Sequence, residues 1–268
     1  MNVLWVFAHP EPRSLGGALR DDAVRALEAA GHSVTHSDLY AMDWNAVVTA
    51  ADYGHDPAER FRVGPVSGTA LERGTLSDDV LAEQDKIKSA DAVVLQFPLW
   101  WYSVPAILKG WIDRVFVKDF AYGIADPQHP GRTLRYGDGN LAGRRALVVT
   151  TAGGREAALG PRGVNGDLDE LLFPLTHGTL FYVGMDVLPT VAVPGANRVS
   201  DDEFRAAAAR LRERVLAIPD TEPIAFRSQN GGDYDDDLVL RDHHAPGRTG
   251  LGVHVAPAPT RRSDDDGH

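Results

Sequence analysis

Asn2-Val3-Leu4-Trp5-Val6-Phe7-Ala8-His9-Pro10-Glu11-Pro12-Arg13-Ser14-Leu15-Gly16-Gly17 decides the fold of this chain. Residues 2–8 form a continuous apolar run, the pattern of a parallel strand covered on both faces. From Leu15 to Ala30, the residues Leu19, Ala23, Val24, Leu27 and Ala30 recur at helical spacing. Arg20, Asp21, Arg25 and Glu28 take the opposite face, and Gly31 supplies the stop. Strand, loop and helix in that order make a first βα unit. Ligands of open α/β sheets bind beyond the C-terminal ends of strands, where the strand order reverses, so the loop 9–17 marks a candidate cofactor site.

The same unit recurs along the chain. His32–Leu39 follows at the spacing of a second strand, Ala92–Phe97 is a third, Arg145–Thr151 a fourth and Asp186–Val193 a fifth. Helices are expected from the Ser77 N-cap to about Ala90, from Val104 to Val117 with Pro105 in the first turn, and from Ser200 to Ala217. Residues 40–76 are polar, rich in Gly and Pro and weakly periodic, and no element is assigned there. Five strands alternating with helices imply an α/β fold, a doubly wound parallel sheet of order 2-1-3-4-5 with helices on both faces. The expected division is a domain over 1–218 and an extended C-terminal tail over 219–268, packed on a neighbour and frayed after Pro257. No internal repeat is present.

Composition removes several classes of function. The 268 residues, 43% hydrophobic and 24% charged, suffice for a large core. A formal charge of −11 lacks the clustered positive field that nucleic acid requires. The absence of cysteine excludes disulfides, thiolate nucleophiles and thiolate metal sites. With no basic leader before the first strand and no apolar run of spanning length, a cytoplasmic protein without membrane insertion is expected. His243-His244 and Asp235-Asp236-Asp237 lack a spaced third ligand and read as solvated loop, so no metal is expected. Asp264-Asp265-Asp266 reads as a solvated tail. Neither G-x-G-x-x-G, a Walker sequence nor a G-x-S-x-G elbow occurs, which leaves a dinucleotide-binding Rossmann site, a nucleotide triphosphatase and a serine hydrolase without support.

Three loops carry the remaining chemistry. In the first, the His9 imidazole, the Ser14 hydroxyl and the N–H groups of Leu15 and Gly16 suit a cofactor phosphate at a helix N-terminus; Ser14 as a plain helix cap is the alternative. The second, Gln96-Phe97-Pro98-Leu99-Trp100-Trp101-Tyr102-Ser103-Val104-Pro105-Ala106, is either a packed aromatic corner or a platform for a flat isoalloxazine ring. In the platform reading, N–H groups of residues 99–102 meet the ring edge and stabilise the negative charge that two-electron reduction leaves there. The third, Thr151-Ala152-Gly153-Gly154, is either a simple turn or the other wall of that site, with glycine admitting a close approach.

The long aromatic segment, with Ser37-Asp38-Leu39-Tyr40-Ala41-Met42, Arg114-Val115-Phe116, Phe120-Ala121-Tyr122, Thr150-Thr151-Ala152-Gly153-Gly154 and Gly250-Leu251-Gly252-Val253-His254, resembles the NAD(P)H:quinone oxidoreductase (DT-diaphorase) family. The resemblance spans nearly the whole chain. It implies a flavodoxin-like fold, a homodimer, bound FAD rather than FMN, and two-electron reduction of quinones by alternating hydride transfers from NAD(P)H. It places His9, Ser14, Leu15 and Gly16 near the FAD diphosphate, and Pro98, Leu99, Trp100, Trp101 and Tyr102 along the flavin. Thr151, Ala152, Gly153 and Gly154 would meet the ring, Asp113 would lie near the partner's cofactor and Arg205 near the adenosine half. Trp101, Tyr102, Gly153 and Gly154, with Tyr122, Ile124 and Tyr182 of the other subunit, would line the nicotinamide and quinone pocket.

The chain departs from the family pattern at a few positions. Well-known members carry a tyrosine and a histidine in the loop after the paired glycines, where Leu159 and Asn165 stand here. Asn165 retains hydrogen-bonding capacity but cannot take a proton near neutral pH. Arg62 stands where the family has a glutamine near the adenine, and Ile124 replaces a second pocket tyrosine. Two other readings fit the same loops: an azo- or nitro-compound reductase on this fold, and a non-catalytic flavin or nicotinamide sensor that regulates an ion-efflux system.

Overall fold

The computed structural model describes residues 1–257. Its elements in chain order are β1 (Asn2–Phe7), α1 (Leu15–Ala29), β2 (Ser33–Asp38), α2 (Val63–Arg73), α3 (Asp78–Ser89), β3 (Ala92–Pro98), α4 (Ala106–Val115), β4 (Arg145–Thr151), α5 (Leu168–Leu175), β5 (Asp186–Val187), β6 (Val191–Val193) and α6 (Asp201–Leu216). The sheet is parallel and runs β2-β1-β3-β4-β5, with β6 also paired to β4. The flavodoxin-like order 2-1-3-4-5 expected from the sequence is therefore present.

Because side chains of a strand alternate between faces, each central strand feeds two cores. Val3, Trp5, Phe7, Leu147 and Val149 pack against α1 and α6 through Leu19, Leu27, Ala208, Leu211 and Val215. Leu4, Val6, Val93, Leu95, Phe97 and Val148 pack on the other side against Val80, Ile87, Leu108, Trp111 and Leu172, from α3, α4 and α5. β3 is buried along its whole length, its apolar run interrupted only by Gln96.

Three expectations need correction. The fifth strand is two short pieces: β5 pairs Asp186 with Arg145, whereas β6 pairs Val191 with Val149, so one extra residue bulges between them beside Pro189, which has no N–H to give the ladder. Residues 40–76 contain α2, and α5 continues past Pro174 into a wider turn of helix over Thr176–Phe181. Finally, the segment after Pro219 packs on its own chain. Ile224 N donates to Val187 O at 2.7 Å, Arg227 N donates to His254 O at 2.9 Å, and the Phe226 ring lies 5.2 Å from Phe181. Beyond Pro257 the expected fraying falls outside the described residues. Among the described residues no helix is long and apolar enough to cross a membrane, and no three acidic or His side chains group as metal ligands.

Candidate active site

The strand order reverses between β1 and β3, and the C-terminal ends of β1, β3 and the adjacent β4 carry the three loops singled out by the sequence. Hydrogen bonds of Gln96 tie the first two of these loops together at their base. Gln96, fully buried on β3, donates through Nε2 to the Gly16 carbonyl at 2.8 Å and accepts from Trp5 Nε1 at 2.9 Å. Ala8 N donates to Gln96 O at 2.9 Å.

In the first loop, Ser14 caps α1 by accepting from Gly17 N at 3.1 Å, which leaves its hydroxyl proton to donate elsewhere. A Cβ on Gly17 would lie 2.0 Å from Pro12 O; only glycine lets the loop fold back on the helix start. Leu15 and Gly16, in the first turn, have N–H groups beyond the reach of any intrahelical acceptor. His9 Nδ1 accepts from Glu11 N at 3.0 Å, which fixes the proton on Nε2 and leaves a donor facing outward. Arg13, bonded to Glu11, holds that carboxyl below its usual range. Loop-one N–H groups and the His9 donor gather at the N-terminus of α1, a donor set whose chemistry suits an anion.

The second loop is a two-residue turn. Trp100 and Ser103 exchange N–H···O bonds of 3.1 and 3.0 Å, leaving Trp101 and Tyr102 at the corner with φ of 50° and 59°. Two successive residues of positive φ make a turn that favours Asn and Gly, and bulky residues there store roughly 1–3 kcal/mol of strain each. The corner lifts Trp101 out to 95% exposure. The expected run of donors from 99 to 102 is shortened, because Leu99 N is spent on Thr151 O at 2.8 Å and Trp100 N on the turn itself. Among the described residues Trp101 and Tyr102 keep free N–H groups, as do Gly153 and Gly154 across the gap.

These loops enclose a cleft of about 340 Å³ lined by Leu99, Trp101, Tyr102, Ala152, Gly153, Gly154, Leu159 and Asn165. The Tyr102 hydroxyl donates to Asn165 Oδ1 at 3.0 Å, and a Cβ on Gly154 would come within 3.2 Å of Asn165 Nδ2. His9 stands beside Trp100 with ring centroids 6.3 Å apart, joining that donor set to the aromatic corner. Pro98 and Thr151 pair in the sheet directly beneath.

Gly153 also borders a larger cavity of about 800 Å³ that the sequence reading missed, between the loop after β6 and α6, lined by Arg155, Pro194, Asn197, Arg198, Glu203 and Arg210 among others. A Cβ on Gly153 would meet Asn197 Nδ2 at 2.8 Å. The one local signal for it is Pro194-Gly195, a turn signal directly after β6. Glu203 closes a reciprocal cap with Ser200, whose N–H and hydroxyl keep its carboxyl below the ordinary range.

Other expected site residues lie apart from this cleft. Asp113 pairs with Lys109 on α4 at 2.6 Å. Arg205 is exposed on α6 and paired with Asp202. A Cβ on Gly64 of α2 would lie 3.5 Å from the Tyr122 hydroxyl, Ile124 sits on the loop that follows, and Tyr182 packs edge-on against Tyr136 at 5.1 Å. Within one chain none of the five lines the cleft.

A cleft bounded by free N–H groups, glycine and aromatic rings, next to a donor set suited to an anion and a second cavity, fits a flat cofactor that carries phosphate. Comparison with known proteins agrees. Residues 1–215 match the family described as Flavodoxin-like fold. A ribosyldihydronicotinamide dehydrogenase-like protein of Penicillium crustosum is 42% identical over 258 residues, 95% of this chain and 96% of the relative. The human ribosyldihydronicotinamide dehydrogenase [quinone] is 40% identical over 224 residues, 83% of this chain and 94% of that protein. A crystal structure of a candidate quinone reductase from Klebsiella pneumoniae superposes with a TM-score of 0.92 at 48% identity, covering 96% of this chain and 100% of that one. The chain belongs to the flavodoxin-like NAD(P)H:quinone oxidoreductase family.

Proposed function

We propose that this chain is a flavin-dependent quinone reductase, taking two electrons from NAD(P)H or a smaller dihydronicotinamide and passing them to a quinone. The observation that carries the reading is the set of unspent N–H donors of Trp101, Tyr102, Gly153 and Gly154 around one cleft at the strand-order switch. A bound flavin would accept hydride from one substrate and deliver it to the next. The protein's part is to hold and polarise. Leu15 and Gly16 N–H groups with His9 Nε2 and Ser14 would bind the diphosphate. The four free N–H groups would compensate negative charge at the ring edge. Trp101 would cover the open face, and Leu99, Leu159 and Ala152 would exclude water.

The flavin is FAD in this reading. The cavity of about 800 Å³ bordered by Gly153 offers room for an adenosine half that FMN lacks, with Arg198 and Arg210 on its wall and Arg205 on the same helix. The cleft is open on one side, and Tyr122, Ile124, Tyr182 and Asp113, remote within the chain, would complete it from a second copy. We therefore read the active form as a homodimer, built on a domain over 1–218 with 219–268 as an appended segment, and working in the cytoplasm.

An absorption spectrum of the purified protein tests this directly. A yellow protein bleached anaerobically by NADH, NADPH or dihydronicotinamide riboside, and recoloured by one equivalent of menadione, is expected. A protein that takes up neither FAD nor FMN overturns the reading.

A further inference from the structure

Of the eight residues that line the smaller cleft within one chain, Tyr102 alone carries a proton it can give up; the rest offer glycine backbone, aliphatic carbon, an indole and the Asn165 amide, and the phenols of Tyr122 and Tyr182 would reach the site only from a second copy. Reduction of a quinone to a hydroquinone needs one hydride and one proton, and the hydride brings none to spare. The two residues of the loop after the paired glycines that line the cleft offer no acid, since Leu159 is apolar and the Asn165 amide does not release a proton. The phenol comes instead from the opposite wall, on the strained corner after β3.

Resting on the quinone-reductase reading, we propose that Tyr102 is the acid that protonates the acceptor, with Asn165 as its positioning residue. Three features support this. The left-handed corner at Trp101 and Tyr102 directs the phenol across the cleft, a geometry whose strain a merely packed aromatic corner would not require. Its hydroxyl is held by a single acceptor, Asn165 Oδ1 at 3.0 Å. Tyr102 stays 49% exposed, so water can replace a donated proton.

The step balances as follows. The quinone receives two electrons and one proton as hydride from the reduced flavin, which NAD(P)H or a related dihydronicotinamide has charged. The O–H bond of Tyr102 breaks, and its proton forms the second O–H bond of the hydroquinone. The phenolate left behind accepts from the Asn165 amide, which turns Nδ2 toward it, and then regains a proton from water. An amide suits this exchange because it offers both an acceptor and a donor without changing charge.

Stopped-flow half-reactions on the flavin-loaded protein separate this proposal from the reading beneath it. In Tyr102→Phe, flavin reduction by the dihydronicotinamide is expected to stay within a few-fold of the parent. Reoxidation by menadione is expected to fall about 10²-fold, the lower range for loss of a general acid, and to lose its solvent deuterium isotope effect. Asn165→Leu, which leaves the phenol in place but unanchored, should slow reoxidation by a smaller factor and retain the isotope effect. A readout free of turnover is the infrared carbonyl band of flavone bound to the oxidised protein: it should move to lower wavenumber in the parent and not in Tyr102→Phe. Normal flavin reduction with equally fast reoxidation of Tyr102→Phe, or a carbonyl band that is the same in both proteins, overturns the role of Tyr102 alone. A protein that binds no flavin overturns both.

Discussion

Gln96 Nε2 donates to the Gly16 carbonyl at 2.8 Å, so a side chain on β3 fixes the start of α1. Gln96 Oε1 is at the same time the acceptor for Trp5 Nε1 on β1, and the triplet lies in the core beneath the switch point. In Gln96→Leu both buried partners lose their bond, at about 1–3 kcal/mol each. Urea unfolding should register that loss. Gln96→Glu keeps the acceptor for Trp5 but turns a carboxylate toward the Gly16 carbonyl, so flavin titration should show weakened binding beyond what its stability change explains. Equal flavin affinity in Gln96→Glu and the parent would separate the donor set at the start of α1 from β3.

Arg114 on α4 is 3% exposed and bonds Asp52 and Asp79 at 2.7 Å each, with its guanidinium over the Trp44 ring at 4.6 Å. The guanidinium outweighs the desolvation of Asp79 and holds its carboxyl below the usual range. Removing one member strands a buried charge, so Arg114→Met should cost about 3–5 kcal/mol. Adding Asp52→Asn to that variant removes the stranded carboxylate and should return part of the loss, as a double-mutant cycle in guanidinium chloride would reveal.

What the sequence made legible were the elements whose own pattern matches their final burial. β1, β3 and β4 are apolar runs covered on both faces, and α1 and α6 are amphipathic helices with Ser14 and Ser200 at their starts. The helix α2 was hidden because Val63-Gly64-Pro65 and Gly68 are poor helix formers, and tertiary packing overrides that preference. α5 carried Pro174, a usual helix stop, yet the chain continues through a widened turn that accommodates it. At the site, Tyr102, Gly153 and Gly154 were legible because they sit in loops directly after strands, and Asn165 only through its place in the family resemblance. The cavity along α6 was not, since its wall is assembled from Arg155, Asn197, Arg198 and Arg210, which no local pattern joins.

Trp101 is expected to trade stability for function. It is almost fully exposed and held at φ 50°, so it contributes little burial while carrying backbone strain. Asparagine tolerates that conformation, and Trp101→Asn should stabilise the fold by about 1 kcal/mol while lowering quinone turnover. A thermal melt of the flavin-free protein reads the first effect and steady-state reduction of menadione the second. A lower melting temperature in Trp101→Asn would mean that the indole is packed in a way its exposure does not reveal.

His177 gives the fold a dependence on acid. Its ring is stacked between Phe173 at 4.5 Å and Tyr136 at 4.9 Å, with Phe226 edge-on at 5.0 Å. Burial, with a smaller contribution from nearby His254, pushes its pKa down to about 4. The unfolded chain then binds the proton more tightly than the native one, so the stabilisation is intact above the ordinary imidazole value of about 6.5 and declines as pH falls toward 4. The full displacement corresponds to about 3 kcal/mol at most. Carboxylates also titrate toward the lower end of that window, so the informative quantity is the difference from a variant without the imidazole. His177→Phe suits the surrounding rings and should flatten the fall in urea midpoint between pH 7 and pH 5, while an unchanged slope would place the acid sensitivity elsewhere.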